Sequence, residues 1–208
     1  RFRNVTGVQT CALPIFSFGA NGFHWQVRLA APRTAGAPMD IVCYKSAAAD
    51  PEASAHPELA TVRWQDPPVN RPEGAMLGSQ FAEVVADGYK RYDLQVSLRA
   101  PGWLLEGTGW TIGTTLRGIL SGEADAPYPG AGSIPVLAGT APGPVGHPIY
   151  PAATMRVSPA GARIFNAGTF GWSDGLAPSV ISLGVPQGSF DRFNENILAW
   201  LGFSAALR

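Results

Sequence analysis

The sequence predicts an α/β fold, and three observations carry that reading. The chain is rich in turn-formers, with Gly 25 and Pro 19 against only 14% charged residues, which favours many short elements over a helical bundle. Several short stretches alternate apolar and polar residues as half-buried strands do. One clear amphipathic helix closes the sequence near residues 189–201.

Taken in order, Phe16 to Gly22 reads as a turn, and Phe23 to Ala30 (FHWQVRLA) as an alternating strand. Arg33 to Pro38 is a loop, Ile41 to Tyr44 a short strand led in by Asp40, and Ser46 to Pro57 a surface loop. Thr61 to Gln65 is a third strand candidate. Asp66 to Gly74 (DPPVNRPEG) is irregular, because each proline removes a donor and restricts its neighbour. Gln80 to Ala86 fits a short helix or a strand, and the period does not decide. Tyr92 to Arg99 alternates and stops before Pro101, so it reads as strand. Trp103-Leu104-Leu105 is an apolar run of buried-strand type. It opens onto a Gly/Thr loop, Gly107 to Gly113, followed by Leu116, Ile119 and Leu120, and then by Glu123 and Asp125 in a glycine-flanked turn.

Ile134 to Ala138 is a strand, and Gly139 to Pro151 a Gly/Pro loop carrying His147. Ala153 to Val157 and Arg163 to Asn166 flank Ser158-Pro159-Ala160-Gly161 as a hairpin. Ala167 to Gly175 is a second glycine-rich loop. In the final helix Ser189 is the expected N-cap and Asp191 suits the first turn. Phe190, Phe193, Ile197, Leu198 and Leu201 form one apolar face, and Gly202 ends it.

Composition narrows function. Lys+Arg and Asp+Glu are 15 each, so the formal net charge is zero, and no basic patch with interleaved aromatics points to nucleic acid. No apolar run reaches the length of a membrane span. Val5 to Ile15 (VTGVQTCALPI) looks like one reading frame of a common short-read sequencing adapter. Residues 1–15 are therefore read as a non-native leader and 16–208 as one domain, N-terminally truncated, as in a metagenomic fragment. Cys11 and the Asn4-Val5-Thr6 pattern drop out with the leader. Compartment, cytoplasmic or secreted, stays open.

Three kinds of chemistry can be weighed. Gly107-Thr108-Gly109 with Gly113 is spaced one residue too long for a dinucleotide fingerprint, and no crossover helix follows. Cys43 as a nucleophile would need a base such as His24 or His147, whereas a lone cysteine at a strand end is more often a small core residue. For a metal, there is no HExxH, no paired-His motif and no calcium loop; oxygen and nitrogen donors that could converge are Glu123, Tyr44 and His24, a grouping that the residues alone do not make. Each alone is more often structural. Together, phenolate, carboxylate and imidazole suit hard trivalent iron better than a soft metal.

A family resemblance groups them. Segments Gly19–Trp25 (GANGFHW), Val42–Ser46 (VCYKS) and Trp64 through Asn70-Arg71-Pro72-Glu73 to Gly78 resemble the C-terminal domain of the N,N-dimethylformamidase large (beta) subunit. So do Trp103–Gly109 (WLLEGTG), Gly118–Asp125 (GILSGEAD), Phe165–Trp172 (FNAGTFGW) and Asn194–Leu201 (NENILAWL), in family order. The resemblance implies a class I glutamine amidotransferase-like (flavodoxin-like) α/β domain. It also implies an amidohydrolase with one iron ion (Fe3+) held by two tyrosines and a glutamate. Glu123 matches the glutamate and Tyr44 one tyrosine; His24 stands where the other tyrosine is expected, and an imidazole brings no negative charge.

Ser121, two before Glu123, stands where a histidine would offer a proton carrier. The implied reaction is metal-assisted attack of water on the carbonyl of a small linear amide, with Lys45 or His147 protonating the amine. Phe23, Trp25 and Trp172 are either walls of a small apolar pocket or ordinary core. Expected partners are the amide substrate, a small second subunit and further copies of the chain. The alternative is a non-catalytic, amidotransferase-like binding module of a larger, secreted protein.

Overall fold

The computed structural model describes residues 13–203 apart from 33, 35, 37–38, 86–89 and 144–145. Most of the leader, much of the Arg33 to Pro38 loop, the last residue of the Gln80 to Ala86 stretch and part of the loop before His147 thus lie outside the described residues. The chain divides into two compact units, one built from residues 23–73 and the other from residues 13–22 and 74–203.

The first unit is small. Arg28–Ala30 (β2) and Asp40–Val42 (β3) pair antiparallel, with Leu29 opposite Ile41. The strand expected over residues 23–30 is interrupted, because Phe23 takes a left-handed φ of +58° that no strand admits. From the third expected strand only an isolated bridge survives, Trp25 to Arg63. Ala60, Val62 and Val69 make a minor core with Ala47, Ala53 and Trp64 against it.

Polar bonds do much of the holding in this unit. Asp50 is buried, and its carboxylate accepts from Arg28 Nη1 at 2.6 Å and Nη2 at 2.8 Å. It also accepts from the Thr61 N–H, the Thr61 hydroxyl and the Glu52 N–H. Gln26 Nε2 donates to the carbonyls of Glu58 and Ala60.

The second unit is dominated by sheet. Ile15–Ser17 (β1), Tyr92–Val96 (β5), Thr115–Leu120 (β6), Ile134–Ala138 (β8), Ala152–Val157 (β11) and Arg163–Asn166 (β12) form one sheet in the order β1-β12-β11-β8-β5-β6. The β1–β12 pair is parallel and the other pairs are antiparallel. Ser79–Val84 (β4) pairs with Glu123–Pro127 (β7), and Ala141–Pro142 (β9) with Pro148–Ile149 (β10). Gln80 onward is therefore strand. The helices are Gly74–Leu77 (α1), Trp172–Gly175 (α2) and Ser189–Leu201 (α3).

The result is a mixed, sheet-dominated α/β architecture with few helices. These pairings do not establish the class I glutamine amidotransferase arrangement implied by the resemblance.

The core forms where α3 meets the sheet-bearing chain. Phe190, Phe193, Ile197 and Leu201 are buried, as their spacing predicts, and Leu198 is half-buried. Trp172 is fully buried, 5.0 Å from the Phe190 ring and 5.4 Å from that of Phe165, and its Nε1 donates to Asn194 Oδ1. It is core and not a pocket wall. Ser189 is not the N-cap: Gly188, at φ +74°, holds that place. The Ser189 hydroxyl is used elsewhere, accepting from Trp110 Nε1 at 2.9 Å and donating to the Pro186 carbonyl. Gly202, at φ +97°, closes the helix as expected. Arg156 is buried and donates to the carbonyls of Ala75 and Met76 in α1; loss of water pulls its pKa below the usual value.

Two readings of the central stretch need correction. Trp103-Leu104-Leu105 is not a strand but a 3-10 turn over Gly102–Leu105. Pro101 and Gly102 start it, and the Leu104 N–H closes back on the Pro101 carbonyl. Three apolar residues cannot distinguish the two, and only Leu104 is buried. Glu123 and Asp125 lie not in a turn but on β7, since the chain reverses one residue earlier, at Gly122 with φ +69°.

Gly168 combines a left-handed φ with a close backbone approach. It has φ +68°, and a Cβ there would lie 2.4 Å from the Ala152 carbonyl oxygen. Gly168→Ala is expected to destabilise the fold by more than the ~1–2 kcal/mol of left-handed strain. Gly146→Ala has a similar φ of +79° with open space around it, so it isolates the strain alone. Urea midpoints of the two variants check the difference.

Candidate metal and amide site

The residues singled out in the sequence fall in both units, and each is described within its own. In the first unit, His24 precedes Trp25, and their rings meet edge to face at 5.0 Å. The His24 carbonyl accepts from the Trp64 N–H at 3.1 Å. Lys45 places its ammonium 5.4 Å from the centre of the Trp25 ring. His24 and Lys45 are thus both gathered onto Trp25.

Tyr44 follows β3 and is 45% exposed. Its N–H donates to the Thr61 hydroxyl at 2.8 Å, and that hydroxyl donates to Asp50 at 2.7 Å. The backbone of Tyr44 is in this way tied to the buried carboxylate, while its phenol has no hydrogen-bond partner among the described residues. Lys45 takes φ +61°, a left-handed turn directly behind Tyr44. Cys43 is a half-buried free thiol. Phe23 is exposed.

In the second unit, Glu123 opens β7 opposite Val84 and is half-buried. Its carboxylate has no hydrogen-bond partner among the described residues. The partner strand β4 carries a register shift between Phe81 and Glu83, close to that position. Ser121 is buried; its N–H donates to the Thr169 hydroxyl, and its own hydroxyl is 3.5 Å from Arg91 Nη1. Arg91 in turn pairs with Asp174 at 2.6 Å. His147 is exposed between β9 and β10, its carbonyl accepting from the Gly143 N–H. Gly107, Gly109 and Gly113 all take left-handed φ values, but they follow a 3-10 turn and not a strand, which removes the setting a dinucleotide loop requires.

Asp125 is the group whose role the sequence reading missed. It is 1% exposed, and no lysine or arginine pairs with it among the described residues. Oδ1 accepts from the Asn21 N–H and Oδ2 from Asn166 Nδ2, each at 2.7 Å. Asn166 Nδ2 also donates to the Ser79 hydroxyl. Burial pushes the Asp125 carboxyl above the usual range, the Glu123 charge adds to this, and the Asn21 and Asn166 donors oppose it. The available signal was spacing: residues two apart on a strand share a face, but reading 123–125 as a turn hid it.

As for a cation, no group of three His, Cys, Asp or Glu residues is gathered among the described residues. Tyrosine lies outside that set of residue types. Each within its own unit, the Tyr44 phenol and the Glu123 carboxylate have no hydrogen-bond partner among the described residues, and oxygen donors of that kind suit hard cations.

The chain is a member of the N,N-dimethylformamidase beta subunit-like, C-terminal family, whose model matches residues 12–186. No curated protein matches it by sequence. Among the described residues no helix is long and apolar enough to cross a membrane.

The support beneath Tyr44 can be tested through Asp50. The Arg28 guanidinium holds the Asp50 carboxyl well below the usual carboxylate range, helped by Thr61 and Glu52 and opposed by burial. The same hydrogen bond holds Arg28 above its ordinary value. A depressed acid stabilises the fold fully above its unfolded pKa of about 3.9 and loses that contribution as pH falls below it. Asp50→Asn is expected to cost about 3–5 kcal/mol, because it leaves Arg28 without its counter-charge. Urea midpoints should decline below about pH 4 in the parent and decline less in the variant.

Proposed function

We propose that the chain is a dimethylformamidase-like hydrolase of small linear amides, acting by iron-assisted attack of water on the amide carbonyl. The observation that carries this is family membership over residues 12–186. The proposed ligands are His24, Tyr44 and Glu123. In support, the Tyr44 phenol and the Glu123 carboxylate make no hydrogen bond to other protein groups among the described residues, while the backbone of each is fixed by the elements around it.

Ferric iron bound there would supply Lewis acidity. The chain's own contribution begins with charge: Tyr44 Oη as phenolate and the Glu123 carboxylate bring two negative charges, and His24 brings a neutral nitrogen. Lys45, held over Trp25, is the proposed proton donor to the departing amine. His147, on its exposed loop, is the second candidate for that proton. A small partner subunit is proposed on the same footing, from the family description as a beta subunit; self-association is proposed beside it and does not follow from that description.

Purified protein loaded with ferric iron is expected to show a visible phenolate-to-iron band, which Tyr44→Phe abolishes and Glu123→Gln weakens together with amide hydrolysis. Absorbance and metal analysis check this. A wild-type protein that stays colourless and metal-free would remove the iron-dependent reading and favour the non-catalytic binding module.

A further inference from the structure

Glu123 and Asp125 lie two residues apart on β7 and so share one face of that strand. Glu123 is half-buried and uncommitted, whereas Asp125 is 1% exposed and fully engaged. Its Oδ1 holds the Asn21 N–H, four residues beyond β1, and Asn21 sits in a left-handed conformation at φ +56°. Its Oδ2 holds Asn166, the last residue of β12, and Asn166 reaches on to Ser79, the first residue of β4. One carboxylate therefore pins β7 to three other segments of the same unit. The Asp125 N–H also donates to the Gly168 carbonyl, so backbone and side chain are both fixed.

Stability alone is a poor account of an acid at this place. Burying an ionised carboxylate without a counter-charge is costly, and neutral or apolar groups commonly serve a core as well. A second acid two residues away makes the cost larger. What the carboxylate does provide is two directed acceptors that a methyl or amide of the same size cannot reproduce together.

We infer that Asp125 is a positioning residue for Glu123: by locking β7 through Asn21, Asn166 and Ser79, it holds the Glu123 carboxylate in the one placement that binds the metal. This rests on the ligand role proposed for Glu123. Groups that orient metal ligands typically change metal affinity by about 10–100-fold when lost.

The test uses the full chain and ferric iron as the probe. Asp125→Asn keeps the size of the side chain but turns an NH2 toward one of the two donors. It is expected to weaken iron binding by about tenfold or more and to shift the visible band, with the far-ultraviolet circular dichroism of the parent retained. Ser79→Ala removes only the far end of the chain of bonds and guards against a variant that fails to fold. It is expected to weaken iron several-fold in the same direction. Parent-like affinity and band position in either folded variant would overturn the inference, whatever the thermal midpoint does, and would leave the ligand assignment standing. A colourless parent protein would remove the ligand assignment, and the inference with it.

Discussion

A carboxylate can leave water only where hydrogen-bond partners replace the solvent it gives up, and each unit of this chain has one such group at a junction of its segments. In the second unit Asp125 draws on the end of β12 and the turn after β1, and through Asn166 on the start of β4. In the first unit Asp50 draws on Arg28, Thr61 and Glu52. The two differ in sign. Asp50 has a guanidinium against it and is held in its ionised form; Asp125 has none among the described residues, and burial works against its charge. An anion that is matched by a cation serves cohesion. A carboxyl met only by neutral dipoles imposes direction, which is what the ligand role proposed for Glu123 requires.

Much of the fold was legible because its signals are local. The hairpin about Ser158–Gly161 follows from its turn residues, the strand at Ile134–Ala138 from a short apolar run, and the face of α3 from a period of 3.6, while the alternating strand expected over Tyr92 to Arg99 ends at Val96. What was not legible depended on distant partners. Ser189 carries every local mark of an N-cap, yet its hydroxyl is taken by Trp110, 79 residues away in sequence. Phe23 continues an alternating pattern, yet its backbone turns left-handed. Three apolar residues after Pro101 fit a strand or a 3-10 turn equally well, and proline and glycine ahead of them decided it.

The site was legible to a different degree. Glu123, Tyr44 and His24 entered through family likeness, and residue type alone would not have grouped them. Within the first unit His24 and Lys45 do meet a common aromatic neighbour, Trp25, which spacing could not show because they are 21 positions apart. Asp125 escaped notice for a plainer reason. Glu-Ala-Asp between Gly122 and Pro127 reads as a polar turn, and only the pairing with β4 reveals it as a strand with an acid facing inward.

The parallel pair at one end of the large sheet has a practical corollary. β1 is the outermost strand there, and its first rung joins Ile15 to Ile164. Ile15 is also the last residue of the stretch that resembles translated adapter, so a recombinant version trimmed at Phe16 would shorten a three-residue strand by one rung. Loss of β1 altogether would bare the backbone of β12, whose Ile164 and Phe165 are apolar, and an uncovered apolar margin of that kind invites intermolecular strand addition.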